Sequence, residues 1–350
     1  MEKFSKKLRR FAASAAVLAL CGAMLSASAA YRPESLVPVG RTAGIKLFAG
    51  GVAVRSVEEV ETETGKASPA RDGGVRAGDL ILAVNGKDVD ETPELTRRLN
   101  ACGGETVRLT VLREGREIFL DVTPAKCTDG SWRIGASVRD SMAGIGTLTF
   151  YDPDSEVFGA LGHGIAENDS CGLFPVAKGC LVPSAVTGVQ KGVAGVPGEL
   201  IGQFRADEDC GSVTANTGSG LFGTLSPGEL CPEALSGAAV PVGYGEIQTG
   251  KATILSNISM GEVREFSVEI VKIVSKDRTT KNFRIRITDP VLLEATGGIV
   301  QGMSGSPVIQ NGRLVGAVTH VCVNEPTEGY GIFIENMLSA CDVAVRDAVA

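Results

Sequence analysis

The chain has 350 residues, room for roughly two or three domains, and its 45 glycines and 5% aromatic residues are typical of a turn-rich β protein. Its formal net charge is -7, and because the first 30 residues carry a net +4, the remainder carries -11. An acidic body argues against nucleic acid as a partner, because phosphate binding depends on clustered Lys and Arg.

The N-terminus has the features of an export segment. It opens with a basic stretch that contains Lys6, Lys7, Arg9 and Arg10. The uncharged residues 11–30 follow and end in Ala27-Ser28-Ala29, a small-x-small pattern that signal peptidases cut. This stretch of 20 residues is also long enough to span a bilayer once. We therefore predict export across the cytoplasmic membrane, with residues 1–30 as a signal peptide or a single membrane anchor.

The cysteine and histidine content argues against a metal site. The chain has nine cysteines, but they show no CxxC spacing and only two histidines accompany them. We predict no metal and no cofactor. In an oxidising compartment Cys171 and Cys180 are close enough in sequence to pair across a turn, and free thiols are an equally good alternative.

Residues 38–127 contain a compact series of short elements. An apolar strand at 80–84 is followed by Asn85-Gly86, a strong two-residue turn signal. Thr92-Pro93 then predicts the start of a helix, and two strands at 106–113 and 117–122 flank another turn.

This order resembles a PDZ domain, and the most specific part of the resemblance is the run Gly-Val-Arg-Ala-Gly-Asp-Leu-Ile-Leu-Ala-Val-Asn-Gly at 74–86. In PDZ domains a glycine-containing loop binds a peptide C-terminus, while the backbone pairs with the extended peptide. Here that loop falls at 40–47. The resemblance implies a peptide ligand contacted by Gly44, Ile45, Lys46 and Leu47. The alternative is a PDZ fold that packs against its own neighbour and binds no free peptide.

From residue 130 the chain becomes rich in glycine and in alternating apolar residues. Residues 283–288 alternate apolar with polar, and Phe266, Val268 and Ile270 do the same, which is the period of a half-buried strand. We predict that 130–350 form one mainly β domain, so the whole chain is mainly β with an α+β domain ahead of it.

The run Gly302-Met303-Ser304-Gly305-Ser306-Pro307 is the candidate catalytic turn. A serine nucleophile needs a base and backbone N–H groups aimed at the developing oxyanion. Glycines permit the required backbone geometry, so we predict Ser304 as nucleophile and the amides of Gly302 and Ser304 as the oxyanion hole. Asn311-Gly312 then predicts a tight hairpin. The unit resembles the nucleophile region of chymotrypsin-like β-barrel peptidases.

The chain offers two candidate bases and several candidate acids. His163 lies between two glycines and is favoured, whereas His320 lies within the strand after the hairpin and could line the substrate cleft. Asp289 ends the alternating strand and is the candidate acid that orients the histidine. Asp207 and Asp209 are its rivals.

A longer resemblance joins these motifs. The chain resembles the stage IV sporulation protein B (SpoIVB) peptidases over its whole length, in the order of exported N-terminus, PDZ domain and glycine-rich peptidase domain. The motifs that carry the resemblance are Thr296-Gly297-Gly298-Ile299-Val300-Gln301 leading into the catalytic turn, Leu161-Gly162-His163-Gly164-Ile165, and Ala317-Val318-Thr319-His320-Val321. The resemblance implies a catalytic set of His163, Asp289 and Ser304.

The resemblance also implies a role. SpoIVB-type enzymes cleave themselves near the N-terminus, and they cleave a membrane-bound regulatory protein that controls an intramembrane metalloprotease. That metalloprotease activates a sigma factor during sporulation, so the expected location is the space between the two forespore membranes. Two alternatives are an envelope quality-control peptidase and an inactive PDZ binding scaffold. The domain order argues against the quality-control peptidase, because HtrA-type enzymes place the peptidase domain before the PDZ domain and this chain has the reverse order.

Overall fold

The computed structural model describes residues 31–166, 172–205, 208–225, 237–259, 261–275 and 280–349. Residues from Pro33 onward belong to one compact unit. Within the described ranges, every helix is too short or too polar to cross a membrane. The predicted export segment at 1–30, together with Cys171 and Asp207, lies outside the described residues.

The described chain is mainly β, as predicted. Its first part contains β1 (Ser35–Pro38), β2 (Thr42–Val57), β3 (Val60–Thr62), β4 (Gly65–Ala67), α1 (Pro69–Asp72), β5 (Leu80–Val84), β6 (Lys87–Asp88), α2 (Thr92–Ala101), β7 (Val107–Arg113), β8 (Arg116–Val122), β9 (Ala125–Lys126) and β10 (Trp132–Arg133). Next come β11 (Ala136–Tyr151), β12 (Val157–Ala160), β13 (Lys178–Gln190), β14 (Glu199–Phe204), β15 (Gly211–Thr217) and β16 (Gly220–Leu225). The last part contains β17 (Val240–Pro241), β18 (Gly250–Ser256), β19 (Arg264–Ile273), β20 (Phe283–Ile287), α3 (Pro290–Thr296), β21 (Pro307–Gln310), β22 (Arg313–Cys322), β23 (Glu325–Phe333) and α4 (Ile334–Val349).

Six antiparallel strands close a first barrel. The pairing runs β2–β11–β12–β16–β15–β13 and returns to β2. Side chains alternate between the two faces of each strand, so one set from every strand fills the interior. Leu47, Phe158, Leu181 and Leu221 are fully buried in this core.

A second barrel closes in the order β18–β19–β20–β23–β22–β21. The alternation predicted for its strands is confirmed, because Phe266, Val268 and Ile270 on β19 and Phe283, Ile285 and Ile287 on β20 all lie in its core. The predicted hairpin is confirmed as well. Asn311 and Gly312, with φ of 52° and 74°, connect β21 to β22. Two packed barrels are the architecture that the catalytic turn predicted.

The PDZ-like segment adds a third core. β5, β7 and β8 extend from the second half of β2, and α1 and α2 cover them. Val52, Ile81, Leu95 and Leu109 are buried between the sheet and the helices. The predicted helix begins at Thr92, and Asn85-Gly86 forms the predicted turn.

Two long strands, β2 and β11, belong both to the first barrel and to the PDZ-like sheet. Residues 42–48 of β2 are a strand of the first barrel, whereas 52–57 belong to the PDZ-like sheet. β11 is shared in the same way. It pairs with the PDZ-like half of β2 through 136–139 and with the barrel half through 141–147.

This sharing corrects the predicted peptide-binding loop. Gly44, Ile45, Lys46 and Leu47 pair with β11 on one edge and with β13 on the other, so no edge is free for a peptide. Gly44 serves barrel packing instead, since a Cβ there would lie 2.6 Å from a methyl carbon of Val182. The sequence prediction is wrong because it took a barrel strand that precedes the PDZ run for the loop of that domain.

Candidate active site

The catalytic turn lies between the two barrels. Gly302 and Gly305 have φ of 95° and 97°, values that residues with a Cβ rarely adopt. Space is equally restrictive, because a Cβ on Gly305 would lie 2.0 Å from the carbonyl oxygen of Thr147. The glycines of the motif are therefore required both by backbone conformation and by the close approach of β11.

Thr147 on β11 holds this turn. Its N–H donates to the carbonyl oxygen of Ser304 at 3.1 Å, and its hydroxyl donates to that of Gly302 at 2.6 Å. Its own carbonyl accepts from the N–H of Leu161, two residues before His163. One fully buried residue thus fixes both the nucleophile turn and the bend that carries the candidate base. Sequence reasoning missed Thr147, because its partner lies 155 residues away.

The backbone of the turn leaves two N–H groups available. The carbonyl of Gln301 accepts from Leu200 N–H and the carbonyl of Met303 accepts from Ser306 N–H. A trans peptide directs its C=O and N–H in opposite directions, so the N–H groups of Gly302 and Ser304 point away from these partners. Neither N–H meets an acceptor among the residues that the structure describes. Such a pair can stabilise an oxyanion.

His163 is presented by a strained bend. Leu161 and Gly162 have φ of 68° and 69°, a conformation that costs a non-glycine residue about 1–3 kcal/mol. The Nδ1 atom of His163 lies 2.9 Å from the carbonyl oxygen of Gly164. Because a carbonyl only accepts, Nδ1 carries the proton, and Nε2 of the neutral ring is left to accept one. Burial lowers the pKa of His163, which favours this neutral form.

His320 lies beside the candidate base, and the candidate nucleophile Ser304 contacts the same strand. The two histidine rings are 5.1 Å apart between centroids. The Ser304 hydroxyl donates to the carbonyl oxygen of Thr319 at 2.7 Å, so it is not hydrogen-bonded to His163. Burial first, and then electrostatic interactions with His163 and Lys281, lower the pKa of His320 to about 4. The structure therefore brings Ser304 and both histidines into one cluster.

Asp289 lies outside this cluster of hydrogen bonds. It is the N-cap of α3, where one carboxylate oxygen accepts from the N–H groups of Val291 and Leu292 and the other accepts from Ser267 N–H at 3.3 Å. No hydrogen bond joins Asp289 to His163. The carbonyl oxygen of Gly164, and not the carboxylate of Asp289, lies within hydrogen-bond distance of Nδ1 of His163. Its rival Asp209 interacts with Cys180.

Among the described residues, no group of three His, Cys, Asp or Glu side chains could hold a metal ion. Cys180, one of the two cysteines that the sequence leaves open as a disulfide or as free thiols, is a free thiol, and Cys171 lies outside the described residues.

Removing the Thr147 hydroxyl should loosen the nucleophile turn. Thr147→Val leaves the partly buried Gly302 carbonyl without that partner, which costs about 1–3 kcal/mol. We expect hydrolysis of fluorescent casein to fall by about 10- to 100-fold. Thr149→Val is the matched control, since Thr149 is also fully buried on β11 but its hydroxyl meets no hydrogen-bond partner among the residues that the structure describes. Equal losses in both variants would show that Thr147 has no special role.

Comparison with known proteins agrees with this geometry. A profile of the family described as SpoIVB peptidase S55 matches residues 130–338, and a PDZ profile matches 62–113. Two curated relatives are a putative zinc metalloprotease of Lactococcus lactis, 36% identical over 88 residues, and a probable periplasmic serine endoprotease DegP-like of Brucella suis, 36% identical over 85 residues. These alignments cover 25% and 24% of this chain but only 19% and 17% of the relatives.

Among solved structures, the protease Rv3671c of M. tuberculosis in an inactive form aligns with a TM-score of 0.34 at 14% identity. The alignment covers 59% of this chain and 82% of that one.

Proposed function

Because the chain belongs to the SpoIVB peptidase S55 family and is a serine peptidase with a PDZ domain, we propose that Ser304 is its nucleophile and His163 its general base. The observation that carries this assignment is the cluster in which the Ser304 turn, the His163 bend and Thr147 are joined by hydrogen bonds. The free amides of Gly302 and Ser304 complete the machinery of acyl transfer.

The first half of the reaction requires one local movement. The Ser304 hydroxyl leaves the Thr319 carbonyl and donates its proton to Nε2 of His163 as its oxygen attacks the substrate carbonyl. The N–H groups of Gly302 and Ser304 stabilise the oxyanion of the tetrahedral intermediate. The Gly164 carbonyl holds the Nδ1 proton and stabilises the imidazolium that forms.

Proton return then completes the cycle. His163 gives its proton to the leaving amine, and the peptide bond breaks to form an acyl-enzyme on Ser304. Water, deprotonated by the same nitrogen, attacks the ester carbonyl. The ester bond to Ser304 then breaks, the acid product leaves, and His163 returns the proton to the Ser304 oxygen. In this mechanism Asp289 supports α3, and the role that the sequence resemblance gave it is taken by a backbone carbonyl.

The biological role that we propose is signalling by limited proteolysis. The enzyme would cleave itself near the N-terminus and cleave a membrane-bound regulator of an intramembrane metalloprotease, leading to sigma-factor activation between the forespore membranes. Support comes from the family match over 130–338, the PDZ domain that precedes it, and the basic-then-apolar N-terminal sequence. A PDZ domain adds a means of recruiting a protein substrate.

Self-cleavage tests this proposal directly. We expect the purified full-length chain to lose an N-terminal fragment over time, because the acyl-transfer machinery is complete within one molecule. Intact-mass spectrometry follows the truncation, and Ser304→Ala supplies the inactive reference. The same truncation in the variant, or a stable wild-type chain that also leaves a membrane-embedded regulator uncut, would contradict the proposed role.

A further inference from the structure

The segment that follows His163 is held by one asparagine side chain of the first barrel. Asn216 lies near the end of β15, and its Oδ1 accepts from the N–H of Ile165 at 2.9 Å. Its Nδ2 donates to the carbonyl oxygens of Ile165 and Phe174, each at 2.8 Å. Both polar atoms of the amide are therefore engaged with backbone, two residues after His163 and again where the chain returns.

The contacts determine the orientation of the Asn216 amide. Nδ2 faces two carbonyl oxygens, which only accept, and Oδ1 faces an N–H group, which only donates. Exchanging the two atoms would bring like groups together at all three contacts. The β15–β16 pairing is irregular between Val213 and Ala215, directly before Asn216. Such an irregularity redirects the side chains that follow it, and here the amide reaches the segment after His163.

The N–H that Asn216 holds belongs to the same peptide group as the carbonyl that faces the candidate base. The Gly164 carbonyl oxygen lies 2.9 Å from Nδ1 of His163, and the N–H of that peptide is the N–H of Ile165. We call this Gly164–Ile165 unit the bridging peptide. Because a trans peptide is planar and directs its C=O and N–H in opposite directions, fixing the N–H also fixes the carbonyl. The hydrogen bond to Asn216 also polarises the peptide and makes its oxygen a stronger acceptor.

The orientation of the bridging peptide depends on Asn216. The Ile165 carbonyl has a second donor, since the N–H of Phe174 also lies 2.8 Å from it. The Ile165 N–H has no second acceptor among the residues that the structure describes. Space is restricted as well, because a Cβ on Gly164 would lie 2.3 Å from a methyl carbon of Leu173. Loss of the Asn216 amide would therefore free the N–H end of the bridging peptide.

We infer that Asn216 is a positioning residue, which keeps the neutral His163 ring protonated on Nδ1 through the bridging peptide. A carbonyl that is free to turn would let the proton distribute between the two ring nitrogens. A ring protonated on Nε2 presents no lone pair there and cannot accept the Ser304 proton. Asn216 thus acts on the rate through His163 and contacts none of the reacting atoms. The inference rests on the proposed role of His163 as general base.

Replacing Asn216 with leucine tests this role. Asn216→Leu keeps the approximate size of the side chain but leaves the Ile165 N–H without its acceptor. We expect kcat for hydrolysis of fluorescent casein to fall by about 10- to 100-fold, with KM within about twofold. Thr217→Val is the matched control on the same strand, since the Thr217 hydroxyl donates to the Gly220 carbonyl at 3.0 Å and accepts from the Ser219 N–H at 3.2 Å. This control should keep kcat within about twofold.

The position of the ring proton is measured by nitrogen NMR of protein labelled at histidine. The chain has two histidines, so a His320→Gln background leaves the His163 ring alone, and its nitrogen shifts distinguish a protonated Nδ1 from a protonated Nε2. At a pH where the ring is neutral, we expect the proton on Nδ1 in this background and after addition of Thr217→Val. After addition of Asn216→Leu, the proton should be shared between both nitrogens. A residue that only stabilises the fold would not change this signal.

The outcomes distinguish the inference from the proposed function. Unchanged kcat in Asn216→Leu, an equal loss of kcat in Thr217→Val, or a ring that stays protonated on Nδ1 in Asn216→Leu overturns the role of Asn216. Full activity of His163→Ala overturns the role of His163 instead. Circular dichroism checks folding. If Asn216→Leu does not fold, Asn216→Ala carries the same predictions, because the half-buried site then admits water to the freed backbone groups.

Discussion

Replacing Ser304 with alanine is expected to lower kcat/KM for hydrolysis of fluorescent casein by about 10⁴-fold or more. The reason is that the variant keeps the free backbone N–H groups of positions 302 and 304 but has no side-chain oxygen that can form the acyl-enzyme. The turn itself should remain intact, because the hydrogen bonds from Thr147 reach backbone carbonyls and not the serine side chain. The variant does lose the hydrogen bond from the Ser304 hydroxyl to the Thr319 carbonyl, so thermal unfolding should shift by no more than the cost of one unsatisfied carbonyl, about 1–3 kcal/mol.

Ser306 offers a matched control in the same turn. Its hydroxyl is buried and has no hydrogen-bond partner among the described residues. Ser306→Ala should keep kcat/KM close to that of the wild type. If Ser306→Ala were as inactive as Ser304→Ala, or if Ser304→Ala kept a tenth of the activity, Ser304 could not be the nucleophile.

Replacing His163 with alanine is the second change with a very large expected effect. Without the imidazole no group accepts the Ser304 proton, and we expect kcat to fall by about 10³- to 10⁴-fold with a smaller change in KM. Steady-state kinetics on the same casein substrate measures this split. Circular dichroism checks that the strained bend at Leu161 and Gly162 still folds.

His320→Gln and Asp289→Asn are the contrasts for His163→Ala. His320→Gln removes the neighbouring ring but leaves the base, so we expect a loss of no more than about tenfold. Asp289→Asn keeps an N-cap and should change mainly the free energy of unfolding, by about 1 kcal/mol or less. A loss of kcat in Asp289→Asn as large as that in His163→Ala would make Asp289 the third catalytic residue. An equally large loss in His320→Gln would make His320 the base.

Local signals in the sequence predicted much of the fold. The Asn85-Gly86 and Asn311-Gly312 turns and the alternation on β19 and β20 were correct, because each is decided by a few adjacent residues. The backbone geometry of the turn at 302–307 could be predicted for the same reason. Two of its six consecutive residues, Gly302 and Gly305, adopt positive φ values that favour glycine.

The predictions that failed depended on contacts between distant parts of the chain. Residues 44–47 were assigned to a peptide loop because their pairing with β13, more than 130 positions away, is not visible in the sequence. Thr147 was missed for a similar reason. Asp289, by contrast, carried a usable local signal, since an aspartate directly before a proline is a common start of a helix.

The most direct test of the central claim, that His163 activates Ser304, is to map the adduct left by diisopropyl fluorophosphate. Intact-mass spectrometry followed by peptide mapping should find one diisopropylphosphoryl group per wild-type chain, on Ser304, and essentially none on His163→Ala protein in the same time. An adduct on another serine, or equal labelling of Ser304 in both proteins, would contradict the account.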